Sequence, residues 1–501
     1  LMCGAVMFAQ SNTSTVDQTG NGNMSDVTQT GLLNDSDVDQ LGDDNDSDVD
    51  QTGQRNNSIV DQNGSNNESD VTSTGNDNTS EVLQGYFGAG GDDHVSDVDQ
   101  TGNDNYSFVG QHGNANDSDV DQDGDFNSSY VSQIGIMNES DVDQVGDFNY
   151  SYVSQDGDDN VSDVKQHGNS NSSEVYQSGD NNDSDVHQGG FGYISNDNYS
   201  YVSQNGDGND SHTDQYGSGG SDYNDSYVNQ YGDDNDSDVD QDGDYNYSDV
   251  YQAGNDNDSD VDQDGDYNNS MVDQDGNDHD SDVDQDGDFN YSEVYQYGGN
   301  ENDSDVDQDG DDNDSYVDQH GTSNESDVDQ DGDYNYSVVS QLGDRNDSDV
   351  DQDGDNNGSD VYQGYTGNDN YSEVSQDGDN NYSYVGQFYN SDDNDSFVEQ
   401  IGDNNWSVVR QEGDFNYSEV LQDGDYNISE VSQYGNDHTS YVTQDGFSNT
   451  SYVDQYGMTQ WSLVNQVGDD NMSNVLQTGN NHMSTVNQIG NNNASSVTQS
   501  N

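Results

Sequence analysis

The chain has 501 residues, 107 of them acidic and 4 basic, for a net charge of −103; only 26% are apolar, 56 are glycine and none is proline. So little apolar content beside so much charge resembles a disordered acidic chain more than a set of ordinary domains. The charge also excludes nucleic acid and anionic membranes as direct partners, since both are polyanions, and leaves cations and basic proteins.

Taken in chain order, the first feature is the apolar run Leu1 to Ala9, followed by polar Gln10-Ser11-Asn12. It reads as the end of a secretory signal with a small residue before the cut. The run is shorter than the ~20 residues that cross a bilayer, so no membrane insertion is expected. Cys3 is the only cysteine, so no disulfide can form within the chain.

From residue 10 to 501 the reading is a single continuous repeat array, which replaces the expectation of disorder. The unit is Asn-x-Ser-x-Val-x-Gln-x-Gly-x-x, 11 residues long, and it recurs 43 times between Gln18 and Gln499. Serine is present in every unit, valine yields once to Thr213, and glutamine once to Ser73. Asparagine is replaced by His94, His279, His438, His482 and Gln460. Asn, Ser, Val and Gln sit at alternate positions, so in an extended strand they share one face. In the middle of the chain this predicts a core ladder of Asn246, Ser248, Val250 and Gln252, then Asn257, Ser259, Val261 and Gln263, then Asn268, Ser270, Val272 and Gln274. Gly243, Gly254, Gly265 and Gly276 with the two residues after each supply the turns, because glycine tolerates positive φ and Asp or Asn can bond nearby backbone. The 2-residue period and the glycine in nearly every unit exclude helix.

A second period of 22 residues runs through the outward positions. Acidic units such as Asp258-Ser-Asp-Val-Asp262 alternate with aromatic ones such as Phe289-Asn-Tyr-Ser-Glu-Val-Tyr295, clearly from about Asn116 to Val350 and then less so. Extra residues enter only at arcs, near 85–91, 189–195 and 218–222. The fold class that follows is an all-β solenoid of about 21 coils, with two short strands per coil stacked cross-β at about 4.8 Å and a length on the order of 100 Å. Inside it, Asn, Ser, Val and Gln would form columns of like residues, with amide bonded to amide so that the buried polar atoms are satisfied.

The order Ser248-x-Val250-x-Gln252-x-Gly254-x-x-Asn257-x-Ser259-x-Val261-x-Gln263 resembles the curlin repeats of curli amyloid subunits, with Ser where that family often has Ala. The resemblance covers nearly the whole chain after Gln10. It implies a secreted β-solenoid subunit that self-associates end to end into a functional-amyloid fibre of a cell-surface or biofilm matrix, with curli-type secretion and nucleation partners. This chain departs from the family in having more than twenty 22-residue repeats where about five are typical, and in being far more acidic.

Other motifs carry less. Asp282-x-Asp284-x-Asp286-Gly287 with Glu293 satisfies an EF-hand spacing, but strand pattern flanks it on both sides and the 11-residue period generates the match. A stronger cation argument is a grid of stacked carboxylates, Asp236, Asp238 and Asp240 with Asp258, Asp260 and Asp262 and with Asp280, Asp282 and Asp284. Flexible oxygen-rich sites suit Ca²⁺. No cofactor is required, and the competing reading of the grid is charge that prevents fibres from clumping. A calcium-stabilised adhesin stalk or cation-binding matrix protein is therefore the alternative function. The aromatic positions, drawn from 35 Tyr, 11 Phe and 2 Trp, read as rings that stiffen the sheet, with lateral adhesion as the sharper reading. Asn-x-Ser glycosylation is disfavoured because the Asn faces inward. Recurrent Ser, His and Asp, as in Ser211-His212-x-Asp214, come from composition, and no catalysis is expected. Finally, residues 471–501 contain no acid and residues 10–24 only Asp17. Strand edges are ordinarily blocked by charge, so Ser14, Val16 and Gln18 at one edge and Ser484, Val486, Gln488, Ser495, Val497 and Gln499 at the other are candidate docking residues.

Overall fold

Every inward position of the repeat is filled by a residue small or flat enough to stack on its own copy, and the backbone follows that stacking. The computed structural model describes residues 11–85, 91–189, 195–217, 222–364, 367–388 and 391–500. The expected signal at 1–9 and the arc residues 86–90, 190–194 and 218–221 lie outside these described residues. The chain divides into two compact units, Leu1–Asn246 and Tyr247–Asn501.

In the first unit one sheet runs from the strand Thr13–Thr19 to Asp225–Tyr231, and the facing sheet from Met24–Leu32 to Asp236–Asp242. In the second unit the corresponding sheets run from Tyr247–Asn255 to Ala494–Ser500 and from Asp258–Asp264 to Met483–Ile489. Apart from the short strand Ser195–Asn196, which pairs Gly168–Asn169, successive strands within each unit alternate between the two sheets and each pairs in parallel with the next strand of its own sheet, residue type on residue type: Ser36 on Ser58, Val38 on Val60, Gln40 on Gln62. The result is a parallel two-sheet β-solenoid, with about 21 turns of about 22 residues in the two units together. Longer arcs leave the register untouched: Ser184 pairs Ser211 and Ser200 pairs Ser226, and the glutamines of those strands bond across intervals of 27 and 26 residues.

The core is one valine per strand, almost all fully buried, flanked by polar columns. Gln40 shows the logic of the amide column. Its Nε2 donates both to Oε1 of Gln62 one turn on (2.8 Å) and to the carbonyl of Met24 in the facing sheet (2.7 Å). A planar amide presents donor and acceptor on opposite edges, so it spans the ~4.8 Å between turns and has a second proton left to tie the sheets together. Asparagine meets the amide-on-amide expectation in part, as where Asn160 Nδ2 donates to Asn138 Oδ1 (3.1 Å), and adds bonds to backbone. Asn23 Oδ1 accepts the backbone N–H of Asn45 (3.1 Å), and Asn45 Nδ2 donates to the Gly64 carbonyl (2.9 Å), so this column fastens turn to turn through the backbone.

Serine is the clear correction to the expectation that all buried polar atoms are satisfied. Most of the serine Oγ atoms, from Ser25 to Ser473, are buried without a hydrogen-bond partner. A single oxygen has no length with which to bridge the spacing between turns. Serine fits this position because it is small, and its hydroxyl contributes little to cohesion.

At most turns the glycine takes a positive φ and the residue two later is left-handed, as at Gly42 (φ 136°) and Asp44 (φ 59°). A Cβ on Gly42 would stand 1.7 Å from the Gly64 carbonyl oxygen of the next turn, so the glycines stack backbone on backbone. The left-handed site is held even by Phe126, Phe148 and Tyr245, an uncommon conformation for large residues. It is offset by a backbone bond such as Phe126 N–H to Asn103 O (3.0 Å) and by ring stacking, Phe126 on Phe148 at 4.9 Å and 2°.

Candidate functional site

The sequence-predicted ladder residues Asn246, Ser248, Val250, Gln252, Asn257, Ser259, Val261, Gln263, Asn268, Ser270, Val272 and Gln274 are all buried. Of the four turn glycines, Gly243, Gly254 and Gly265 have φ of 130°, 124° and 129°. Gly276 is the exception, lying outside the left-handed region. There a Cβ would meet Nε2 of His279 at 2.1 Å, so the glycine makes room for an imidazole in the asparagine column. His279 keeps the asparagine's acceptor role, with Nδ1 taking the N–H of Asn302 at 3.2 Å. His94 and His438 do the same for Asn116 and Gln460. Burial holds all three imidazoles below the usual histidine range, His94 down to about 4.

The outward positions build three surfaces. The first is acidic. In the second unit Asp258 stacks on Asp280, Asp260 on Asp282 and Asp262 on Asp284. In the first, Asp236, Asp238 and Asp240 stack on Asp210, His212 and Asp214. Partial burial, reinforced by neighbouring carboxylates on the same strand or adjacent turns, raises the carboxyl groups of Asp282, Asp284, Asp236 and Asp238. The same causes push Asp305, Asp329, Asp347 and Asp349 up to about 6. All four basic side chains relieve this field locally. Arg345 makes a bidentate pair with Asp369 one turn on (2.6 and 2.7 Å), Arg410 pairs Glu430 (2.8 Å), Arg55 pairs Asp77, and Lys165 pairs Asp163 on its own strand.

A further acidic column, at the residue after the turn glycine, was only half legible in sequence. The recurrent Gly-Asp pointed to a bond with nearby backbone, but the bond runs to the neighbouring turn: Asp266 N–H donates to Asp288 Oδ1 (2.9 Å), and Asp288 N–H to Asp311 Oδ1 (2.9 Å). These carboxylates hold the stack together instead of opposing it.

The second surface is aromatic. Tyr152, Tyr176 and Tyr201 follow one another at 5.2 and 5.6 Å on one sheet of the first unit. The blurring of the acidic–aromatic alternation after Val350 has a structural form: rings enter the formerly acidic sheet, giving the run Tyr371, Phe397, Tyr417, Tyr441 and Trp461 with centroids 5.4 to 6.3 Å apart.

The third surface is the strand edge. Ser14, Val16 and Gln18 are exposed, while Ser495, Val497 and Gln499 are half-buried; Ser484, Val486 and Gln488 are buried as interior side chains. Gln18 donates to Gln40 (2.7 Å) and Gln477 to Gln499 (2.8 Å), so the amide column runs in one direction from edge to edge of each unit's described strands.

These features define a class, the parallel β-solenoid whose turns are clasped by side-chain amide ladders. The sequence profile of the curlin associated repeat matches fifteen stretches, in blocks covering 9–75, 113–190 and 232–446 and hence more than half of the residues, and the chain belongs to the curlin repeat family. No curated protein matches it. Among the described residues no helix is long and apolar enough to cross a membrane.

Proposed function

We propose that this chain is a structural subunit of an extracellular, curli-like amyloid fibre, adding end to end in a cell-surface or biofilm matrix, with curli-type secretion and nucleation partners and no catalytic role. The observation that carries this reading is the complementarity of the two strand edges. At one edge Gln488 and Gln499 each donate to a single carbonyl, Met472 and Met483, and their second amide proton has no partner among the described residues. At the other, Oε1 of Gln18 and Gln29 has no donor among the described residues, although their amide groups donate onward to Gln40 and Gln51. The asparagine column complements it in the opposite sense, with Asn493 Oδ1 an open acceptor and the Asn23 N–H an open donor among the described residues. A second copy set one turn beyond would satisfy both columns and continue the parallel pairing, and the scarcity of acids at residues 471–501 and 10–24 leaves that approach without repulsion.

The test places charge on the edge. Thr485→Asp with Ala494→Asp, both at exposed outward positions, is expected to give soluble short rods by electron microscopy where the unaltered chain gives long fibres. Fibres of unchanged length would refute docking at this edge.

The stacked carboxylates favour a second reading, in which divalent cations such as Ca²⁺ bind Asp258, Asp260, Asp262, Asp280, Asp282 and Asp284, and Asp236, Asp238 and Asp240, and stabilise the solenoid as an adhesin stalk or matrix cation store. On that reading, a chelator at fixed ionic strength lowers the melting temperature; an unchanged melting curve removes it.

A further inference from the structure

We propose that His187, His212 and Asp214 form a binding site for one imidazole-preferring divalent transition ion of the Zn²⁺ type, with Asp185 as the buttress that orients both imidazoles. The site is independent of fibre assembly and distinct in chemistry from the carboxylate columns.

The argument starts from register. Among the described residues, the strands Asp183–Gln188 and Asp210–Tyr216 are parallel neighbours in which Asp185 pairs His212 and His187 pairs Asp214. The two imidazoles therefore sit diagonally across a square whose other corners are carboxylates. Here two adjoining strands carry histidine at outward positions that elsewhere in the acidic sheet hold mostly aspartate. The rings meet edge to face with centroids 5.7 Å apart.

Donor geometry selects the ligands. Nδ1 of His187 lies 3.1 Å from Asp214 Oδ1, and Nε2 of His212 lies 3.4 Å from Asp214 Oδ2. In a tetrahedral zinc site with arms of about 2.0–2.2 Å, neighbouring donors stand about 3.3 Å apart. One donor atom from each of His187, His212 and Asp214 falls within 4.8 Å of the others, so a small contraction of half-exposed side chains closes the set. Three protein ligands leave one position for water.

The surroundings match a metal site beyond its ligands. Asp185 Oδ1 lies 2.8 Å from Nε2 of His187, the nitrogen turned away from Asp214, and its Oδ2 lies 3.7 Å from Nδ1 of His212. A carboxylate behind a metal-bound imidazole fixes the tautomer and strengthens the donor. Tyr216 Oη donates to Asp214 Oδ2 at 2.8 Å and steadies that carboxylate. A second grouping, Asp163, Asp185 and His187, also brings donors together. It is disfavoured because the Lys165 ammonium, paired with Asp163, lies 3.3 Å from Nε2 of His187 and would face the incoming cation. An imidazole must be neutral to bind a metal, so binding here releases protons and tightens as pH rises.

The experiment is a Co²⁺ titration of the full chain, followed by visible absorption in enough Mg²⁺ to occupy the carboxylate columns. The expected result is a saturable step of one Co²⁺ per chain with the absorption of a low-coordinate, nitrogen-containing site. The double variant His187→Asp/His212→Asp restores the residue usual at these positions and adds negative charge, so it strengthens any general polyanion binding while abolishing the specific step. Asp185→Asn is expected to weaken the step about 10- to 100-fold. Absence of the step in the unaltered chain, or its survival in the double variant, overturns the site; an Asp185→Asn variant that binds as tightly as the unaltered chain overturns the buttress. Pulsed EPR of the unaltered chain loaded with one equivalent of Cu²⁺ tests the same assignment without relying on a variant that folds: coupling to imidazole nitrogen is expected, and a spectrum of oxygen ligands alone refutes it.

Discussion

One sheet of the second unit contains two stretches that share an interior and differ outside. From Asp258–Asp264 to Asp347–Asp353 the outward residues are almost all carboxylates, as in Asp303, Asp305, Asp307 and Asp309. From Tyr371–Asp377 to Trp461–Val467 they include a column of stacked rings. Yet the interiors coincide: Gln330 donates to Gln352 and to the Asp314 carbonyl, and Gln422 donates to Gln444 and to the Trp406 carbonyl, with distances matching within 0.1 Å. The inward ladder sets the backbone, and the outward face is free to carry whatever chemistry the surroundings select. In a stack where each turn touches only its neighbours, such local exchange is tolerated.

If that division is correct, interior changes must cost the same in both stretches. Gln330→Leu and Gln422→Leu each remove bonds to the next turn and to the facing sheet and leave buried partners unpaired. Each is expected to lower the local opening free energy by about 2–4 kcal/mol, read by hydrogen exchange on the flanking strands. A large inequality between the two would mean that the outer face contributes to holding the turn.

Acid should separate the stretches. With Asp305, Asp329, Asp347 and Asp349 raised to about 6 in the folded chain and near 3.8 when unfolded, the folded state binds protons first as pH falls. The acidic stretch therefore gains stability from about pH 6 down to about pH 4 and loses it again as pH rises. Buried imidazoles oppose this gain, because below 6.5 the unfolded chain binds their protons first: His279 stands against the four strongly raised aspartates of the acidic stretch, whereas His438 in the aromatic stretch stands against the raised Asp395 and sets a loss of stability as pH falls below 6.5. Exchange rates corrected for intrinsic pH dependence should thus move in opposite directions, and His438→Asn should remove the loss. Parallel shifts in both stretches would refute this assignment of the titrating groups.

The smallest effect belongs to the rings. Tyr417 lies 5.6 Å from Phe397 and 5.5 Å from Tyr441, and Tyr417→Ala is expected to cost about 0.2–1 kcal/mol per ring pair lost. A cost equal to that of Gln422→Leu would contradict the division between interior and face.

Most of the fold was legible because the period exposes it. Alternation named Asn, Ser, Val and Gln as inward, the 22-residue period implied two strands per turn, and arc insertions could be placed without disturbing either. Less legible was how each column bonds. Glutamine and serine look equally inward in sequence, but amide length lets Gln40 bridge turns while Ser36 Oγ has no partner. The meeting of His187 with Asp214 depends on an interval of 27 residues between paired strands, and the lengthened arc that sets this interval hides the contact from a fixed 22-residue alignment.

That tolerance of unequal intervals has a practical side. Because Ser184 finds Ser211, and Ser200 finds Ser226, across connections of different length, the arcs are the natural ports for grafting. A short foreign peptide inserted there should be displayed at a fixed height along the stack, with spacing to a second graft chosen by counting turns.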